Sequence, residues 1–274
     1  MHVFSALRPA CGVGILVLLG MVASLQGCSQ APKTTEATVS NDVMTVSDES
    51  DARRRAKIRL ELATGYFSNG QTTVALDELK QAIATDPTYF DAYNLRGLVY
   101  QRLNNPQLAE ESFRKALALQ SAAPGVQHNY GLLLCQLGRS SEGIQLFKQA
   151  IADPMHSERA KTYMAMAGCE LSAGRKEAAE ASYMRSYELD AGNPITAYNL
   201  SKLLYERGEV TRAQFYIRRL NNSVLANSET LWLGIKVEQK LGNTDAMGQL
   251  ASQLRKRFPQ SRELGWYERG AFNE

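Results

Sequence analysis

PGVQHNYGLLLCQLGRSSEGIQLFKQAIADP, residues 124–154, reads as two short amphipathic helices joined by a turn at Leu137-Gly138. Gly131 precedes the turn and Gly143 follows it; Phe147 and Ala150 then fall on the same helical face as Gly143. Two helices that meet at small residues can bring their backbones close, whereas a larger side chain at either position would force them apart. This arrangement recurs in both directions along the chain. Turn signals stand at Asn69-Gly70, Asn104-Asn105, Leu137-Gly138, Ala173-Gly174, Arg207-Gly208 and Leu241-Gly242, about 34 residues apart.

Aligned on those turns, the units start near Ala56, Phe90, Pro124, Ala160, Pro194 and Asn227. Their eighth residues are Ala63, Gly97, Gly131, Ala167, Ser201 and Gly234, and their twentieth are Ala75, Ala109, Gly143, Ala179, Ala213 and Ala246. All are small, where composition alone would give roughly one residue in four. Leu79, Phe113, Phe147, Tyr183, Ile217 and Leu250 follow four residues after the twentieth. Pro87, Pro124, Pro154, Pro194 and Pro259 are read as helix stops near the unit ends. The pattern resembles the tetratricopeptide (TPR) repeat over residues 56–259 and implies an all-α superhelix of about six helix-turn-helix repeats. The expected units are 56–89, 90–123, 124–159, 160–193, 194–226 and 227–260, with two extra residues between the third and fourth and a degenerate sixth. A final segment, 261–274, carries Leu264, Trp266 and Tyr267 and is expected to supply a capping helix for the open end.

A TPR stack turns its first helices inward, so that unit positions 2, 5, 9, 12 and 13 face a groove. The first unit places Lys57, Leu60, Thr64, Phe67 and Ser68 there, and the second Asp91, Asn94, Leu98, Gln101 and Arg102. The fourth offers Lys161, Met164, Gly168, Leu171 and Ser172, and the fifth Tyr198, Lys202 and Tyr205. A partner segment is expected to dock across Leu60, Thr64 and Phe67, continuing to Asn94 and Leu98. The alternative is that Leu60 and Phe67 pack on the Asp51–Arg55 segment or a neighbouring helix. No basic ladder suggests capture of a C-terminal carboxylate.

Residues 1–27 differ from the repeats. An uncharged apolar run, Ala10 to Ala23, suits a signal-peptide core and is short of the roughly 20 residues that span a membrane. It ends in Leu25-Gln26-Gly27-Cys28, which resembles the bacterial lipobox. That implies a lipid on Cys28 and a mature chain beginning there; the alternative is an ordinary secretory signal. Ser29, rather than Asp, after the cysteine favours the outer membrane. Several acyl chains make such an attachment durable, where one would be marginal. Residues 28–50 then read as the lipidated Cys and a disordered tether, Ser/Thr/Asp/Glu-rich and without an aromatic residue. The TPR domain is assigned to 51–274.

The 274 residues carry 31 Lys+Arg against 28 Asp+Glu, a balance that argues against a phosphate-neutralising nucleic-acid binder. Three His and four Cys are too few for a persuasive zinc cluster. His128 and His156 lie in no nucleophile or HExxH setting. Glu110, Glu111, Glu177 and Glu180 are assigned to the solvated sides of second helices. No enzyme, cofactor, metal site or small-molecule substrate is therefore expected. Cys135 and Cys169 lie 34 residues apart on adjacent first helices; they could be bonded in an oxidising compartment or be two buried thiols.

One part of the repeats is more specific: Asn129-Tyr130-Gly131 through Cys135, Phe147, Ala150-Ile151-Ala152-Asp153-Pro154, and Gly168-Cys169-Glu170-Leu171 with Ala173-Gly174-Arg175. With the lipobox and six units, this resembles the type IV pilus biogenesis and stability lipoproteins of Gram-negative bacteria (the PilF/PilW type). The resemblance favours the Cys135–Cys169 disulfide. It implies a pilotin at the periplasmic face of the outer membrane, which binds secretin subunits and promotes their multimerisation for pilus assembly and twitching. The alternative is a TPR lipoprotein serving outer-membrane protein insertion or peptidoglycan synthesis.

Overall fold

A computed structural model describes residues 49–273 of the chain. The signal-peptide, Cys28 and most of the tether assignments lie outside the described residues. Thirteen helices form among those that are described, and no strand. They pair as α1 (Asp51–Ser68) with α2 (Thr72–Thr85), α3 (Phe90–Arg102) with α4 (Pro106–Leu119), and α5 (Pro124–Gln136) with α6 (Ser140–Ala152). Then come α7 (Arg159–Ser172) with α8 (Lys176–Leu189), α9 (Pro194–Glu206) with α10 (Val210–Asn221), and α11 (Ser228–Lys240) with α12 (Thr244–Arg257), closed by α13 (Arg262–Glu268). The result is an all-α TPR solenoid of six helix pairs.

Each pair turns through one residue in the left-handed region. Gly70, Gly138, Gly174, Gly208 and Gly242 supply it in five units, with φ between 72° and 87°, and Asn104 in the second, with φ 56°. Asparagine is the side chain that tolerates this conformation best after glycine. The prolines act differently from the sequence expectation in part: Pro124 and Pro194 are the first residues of α5 and α9, as Pro106 is of α4. There the missing N–H costs nothing and the fixed φ suits a helix start. Asn105, Asn193 and Asn243 cap the next helices through their side chains, and Asn227 forms a capping box with Thr230.

The pairs cross where the small residues lie. Eleven of the twelve small positions are buried, Ala246 being the exception. A Cβ on Gly97 would come within 2.5 Å of the Phe113 ring, and one on Gly131 within 2.9 Å of Phe147 and 3.1 Å of the Gly143 carbonyl. Position eight therefore receives both the partner helix and the large residue at position 24. In the sixth unit α12 is rolled, burying Ala251 and Leu254 while Leu250 is only partly covered. At the end of the stack Leu264 is buried, and Trp266, Tyr267 and Phe272 pack over Trp232, Ile235 and Leu254. This removes the open apolar face that a terminal repeat would otherwise show to water.

Candidate functional site: the first-helix face

Leu60, Thr64 and Phe67 fall on one side of α1, at a spacing of four and three residues, and Asn94 and Leu98 on α3 beside it. Thr64 is exposed, and its hydroxyl donates back to the Leu60 carbonyl at 2.8 Å. Leu60, Phe67 and Leu98 are half-buried against the core of the first unit. Phe67 has a cover that its position in the repeat does not foretell. The Arg102 guanidinium lies 3.9 Å from the ring centroid, and Nη1 donates to the Phe67 carbonyl at 2.6 Å. Residues 51–55 form the first turn of α1 and do not fold back over the pair. The strip is thus a shallow apolar seam, with Thr64 open and an arginine over one end.

The Asn129-Tyr130-Gly131 motif links this face to the rest of the stack. Asn129 Nδ2 donates to Asn94 Oδ1 at 3.1 Å, joining the first helices of units two and three. Tyr130 stacks on Phe113 with centroids 5.9 Å apart, and its hydroxyl donates to Glu110 at 2.7 Å. Glu110 also receives Arg139 at 2.8 Å and 2.9 Å. Burial works to raise the Glu110 carboxyl, but the bonds from Arg139 and Tyr130 outweigh it and hold it below the ordinary value. Glu180 makes the corresponding contact in the fourth unit: it is 8% exposed and is held by Arg207 at 2.7 Å. These two glutamates are therefore not solvated residues, as the sequence suggested, but ties to the following unit; Glu111 and Glu177 are exposed.

Cys135 and Cys169 are joined in a disulfide with Cα atoms 5.6 Å apart, linking α5 to α7. A Cβ on Gly143 would meet Cys135 Sγ at 2.5 Å and the Gly131 carbonyl at 2.7 Å, so the glycine admits both the helix crossing and the bridge. Beneath it lies a polar cluster that sequence reasoning missed. Thr162 Oγ1 lies 2.9 Å from His128 Nδ1 and 2.8 Å from His156 Nε2, and all three residues are buried. His156 comes from residues 153–158, the link lengthened by the two extra residues. Burial, reinforced by Lys161, depresses His128 to about 4, and burial also lowers His156. Both rings are neutral structural groups rather than accessible bases.

Tetratricopeptide-repeat models match residues 65–104, 90–122 and 130–194. The type IV pilus assembly protein PilF of Pseudomonas aeruginosa is 30% identical over 213 residues, which cover 78% of this chain and 84% of PilF. The chain belongs to the PilF/PilW family of type IV pilus biogenesis TPR proteins. The solved structure of P. aeruginosa PilF is similar with a TM-score of 0.73 at 27% identity, over 81% of this chain and all of that one. PilW, described as a widely conserved type IV pilus biogenesis factor, gives 0.67 at 29% identity, over 77% of this chain and 96% of PilW. Membership of the PilF/PilW family places the first-helix face in a protein-interaction scaffold.

Proposed function

We propose that this PilF/PilW-family chain is a lipid-anchored pilotin of the outer membrane. It binds secretin subunits through the first-helix face of its leading units and promotes their multimerisation into the ring that a pilus crosses. The reading is carried by similarity to PilF across most of both chains. The lipid part rests on the Leu25-Gln26-Gly27-Cys28 box and the uncharged run before it. Anchoring both partners to one membrane raises their effective concentration, so a shallow seam of modest affinity is sufficient. The work is binding rather than catalysis: the two histidines of the repeats are 4% and 7% exposed and bonded to Thr162, out of reach of a substrate.

The test is to score secretin multimers in outer-membrane fractions from cells lacking the gene and from cells carrying variants. Loss of multimers on deletion, and their misplacement with Cys28→Ala, is the expected result; unchanged ring levels on deletion reject the pilotin role. Thr64→Arg changes an exposed residue of the seam and should reduce multimers while leaving the thermal midpoint within a few degrees. Firm membrane attachment of Cys28→Ala would reject the lipid.

A further inference from the structure

The helices of a pair run in opposite directions, so the links between successive pairs lie along one edge of the stack and the left-handed turns along the other. The start of α1 belongs to the link edge: Arg53 Nη2 donates to Thr88 Oγ1 of the first link at 3.0 Å. A chain anchored ahead of residue 49 therefore enters the repeats at this edge. On the fifth link, 222–227, Val224 is 93% exposed and Leu225 beside it is exposed too. A valine that projects so far fills no pocket of its own and offers none to a peptide. Phe215, also exposed, lies on the outer side of α10 one turn before Arg219.

The charges around this tip are unequal. The link itself, Asn222 to Asn227, holds no carboxylate. The last turn of α10 carries Arg218 and Arg219, and that of α12 carries Arg255, Lys256 and Arg257. Arg257 Nη2 donates to the Ala226 carbonyl at 2.8 Å, which brings the end of α12 against the link. The neighbouring carboxylates are already claimed: buried Glu238 holds Arg218 at 2.6 Å, Glu268 lies 3.8 Å from Arg255, and Glu229 3.5 Å from Arg262. Arg219, Lys256 and Arg257 remain, all exposed and in no ion pair among the described residues. Arg219 and Arg257 lie against the Tyr187 and Phe258 rings, which leaves their charge uncompensated. Cations at helix C-termini complement the last carbonyls, but that does not account for apolar side chains held in water between them. On the third link Met155 projects as well, with Asp153 and Glu158 close by in the chain; the fifth link has the tip without the acids.

We propose that the fifth link and the ends of α10 and α12 rest on an anionic lipid surface. Val224 and Leu225 enter the head-group layer with Phe215 at the margin, and Arg219, Lys256 and Arg257 meet the lipid phosphates. Such binding grows with buried apolar area and with attraction to anionic lipid, each basic side chain near the surface favouring contact about fivefold. Three suffice because the chain is already held at the membrane. The proposal rests on the lipid attachment proposed above and not on the secretin partner; it adds an orientation, link edge towards the lipid.

The full chain carrying Val224→Trp would be reconstituted in vesicles of phosphatidylcholine alone or with about 30% phosphatidylglycerol, both brominated on the acyl chains. Bromine quenches an indole that enters the lipid, and the parent chain gives the background from Trp232 and Trp266. Extra quenching is expected in the anionic vesicles alone, and its loss at about 1 M salt, where the screening length is about 3 Å. Arg219→Glu with Lys256→Glu should return it to the neutral-vesicle level at unchanged thermal midpoint, and Thr64→Trp, in the α1 seam, should stay unquenched. Flotation with both vesicle types without extra quenching would overturn the edge contact and leave the anchor standing. Equal quenching in neutral vesicles would also overturn it, and a chain that floats with neither would overturn contact and anchor together.

Discussion

Gly97 shows how much a single missing methyl decides. It is buried where α3 meets α4, and the Phe113 ring occupies the space a Cβ would take, at 2.5 Å. Gly97→Ala gains helix propensity worth up to about 1 kcal/mol, but overpacking a closed core costs about 1–3 kcal/mol. A net loss of about 1–2 kcal/mol is expected in urea unfolding. Trimming the ring with Phe113→Leu should recover part of it, and strict additivity in that cycle would mean the two groups do not compete for space. Such positions are legible in the sequence because only small residues satisfy them, six times over. Glu110 and Glu180 were not legible in the same way. An acidic residue on a second helix is solvated by default, and here it is claimed by Arg139 or Arg207 from the following unit, 29 and 27 residues away. Arg102 over Phe67 belongs to the same kind: the repeat predicts which face a side chain takes, not which guanidinium will cover it.

At the scale of elements, helices α5 and α7 are joined by more than packing. In a solenoid each pair touches only its neighbours, so stability is close to a sum over interfaces and a weak one can open locally. The Cys135–Cys169 bridge crosses the junction of units three and four, where the link is six residues long, 153–158, against four at 86–89 and 120–123. A cross-link closing about 34 residues contributes about 4 kcal/mol by restricting the unfolded chain. We expect Cys135→Ser with Cys169→Ser to lose about that much, and amide exchange to accelerate in α5–α8 ahead of α1 and α2. Uniform acceleration along the chain, or none, would show that the junction holds without the bridge. The repeat spacing brought the two cysteines to one level in the sequence but left bonded and free thiols open. The turns fared better, because each needs a left-handed residue and five glycines and Asn104 stand there.

For the molecule as a whole, the buried histidines tie stability to pH. His128 titrates at about 4 in the folded chain and near 6.5 when unfolded, and His156 is lowered in the same direction. Below about pH 6.5 the unfolded chain takes up protons that the folded chain refuses, so stability falls as pH drops from about 6.5 to about 4. His128 alone accounts for about 3 kcal/mol across that window. The neighbours act in both directions: Lys161 disfavours the charged ring of each, Arg159 that of His156, while Glu158 favours both and Asp153 favours His156. Glu110 and Glu263 are held below the ordinary carboxylate value despite burial. Their stabilising effect is present above the ordinary glutamate value of 4.5 and is lost as pH falls from there through their lowered folded values, so it meets the histidine window only at its acid end. Asn at 128 reproduces a polar atom near Nδ1 and Gln at 156 one near Nε2, so His128→Asn with His156→Gln retains partners for Thr162 without a titrating ring. The pair should lower stability modestly at pH 7 and flatten its decline between pH 6.5 and 4.5, measured as urea midpoints at each pH. A variant that declines as steeply as the parent would place the acid sensitivity elsewhere in the stack.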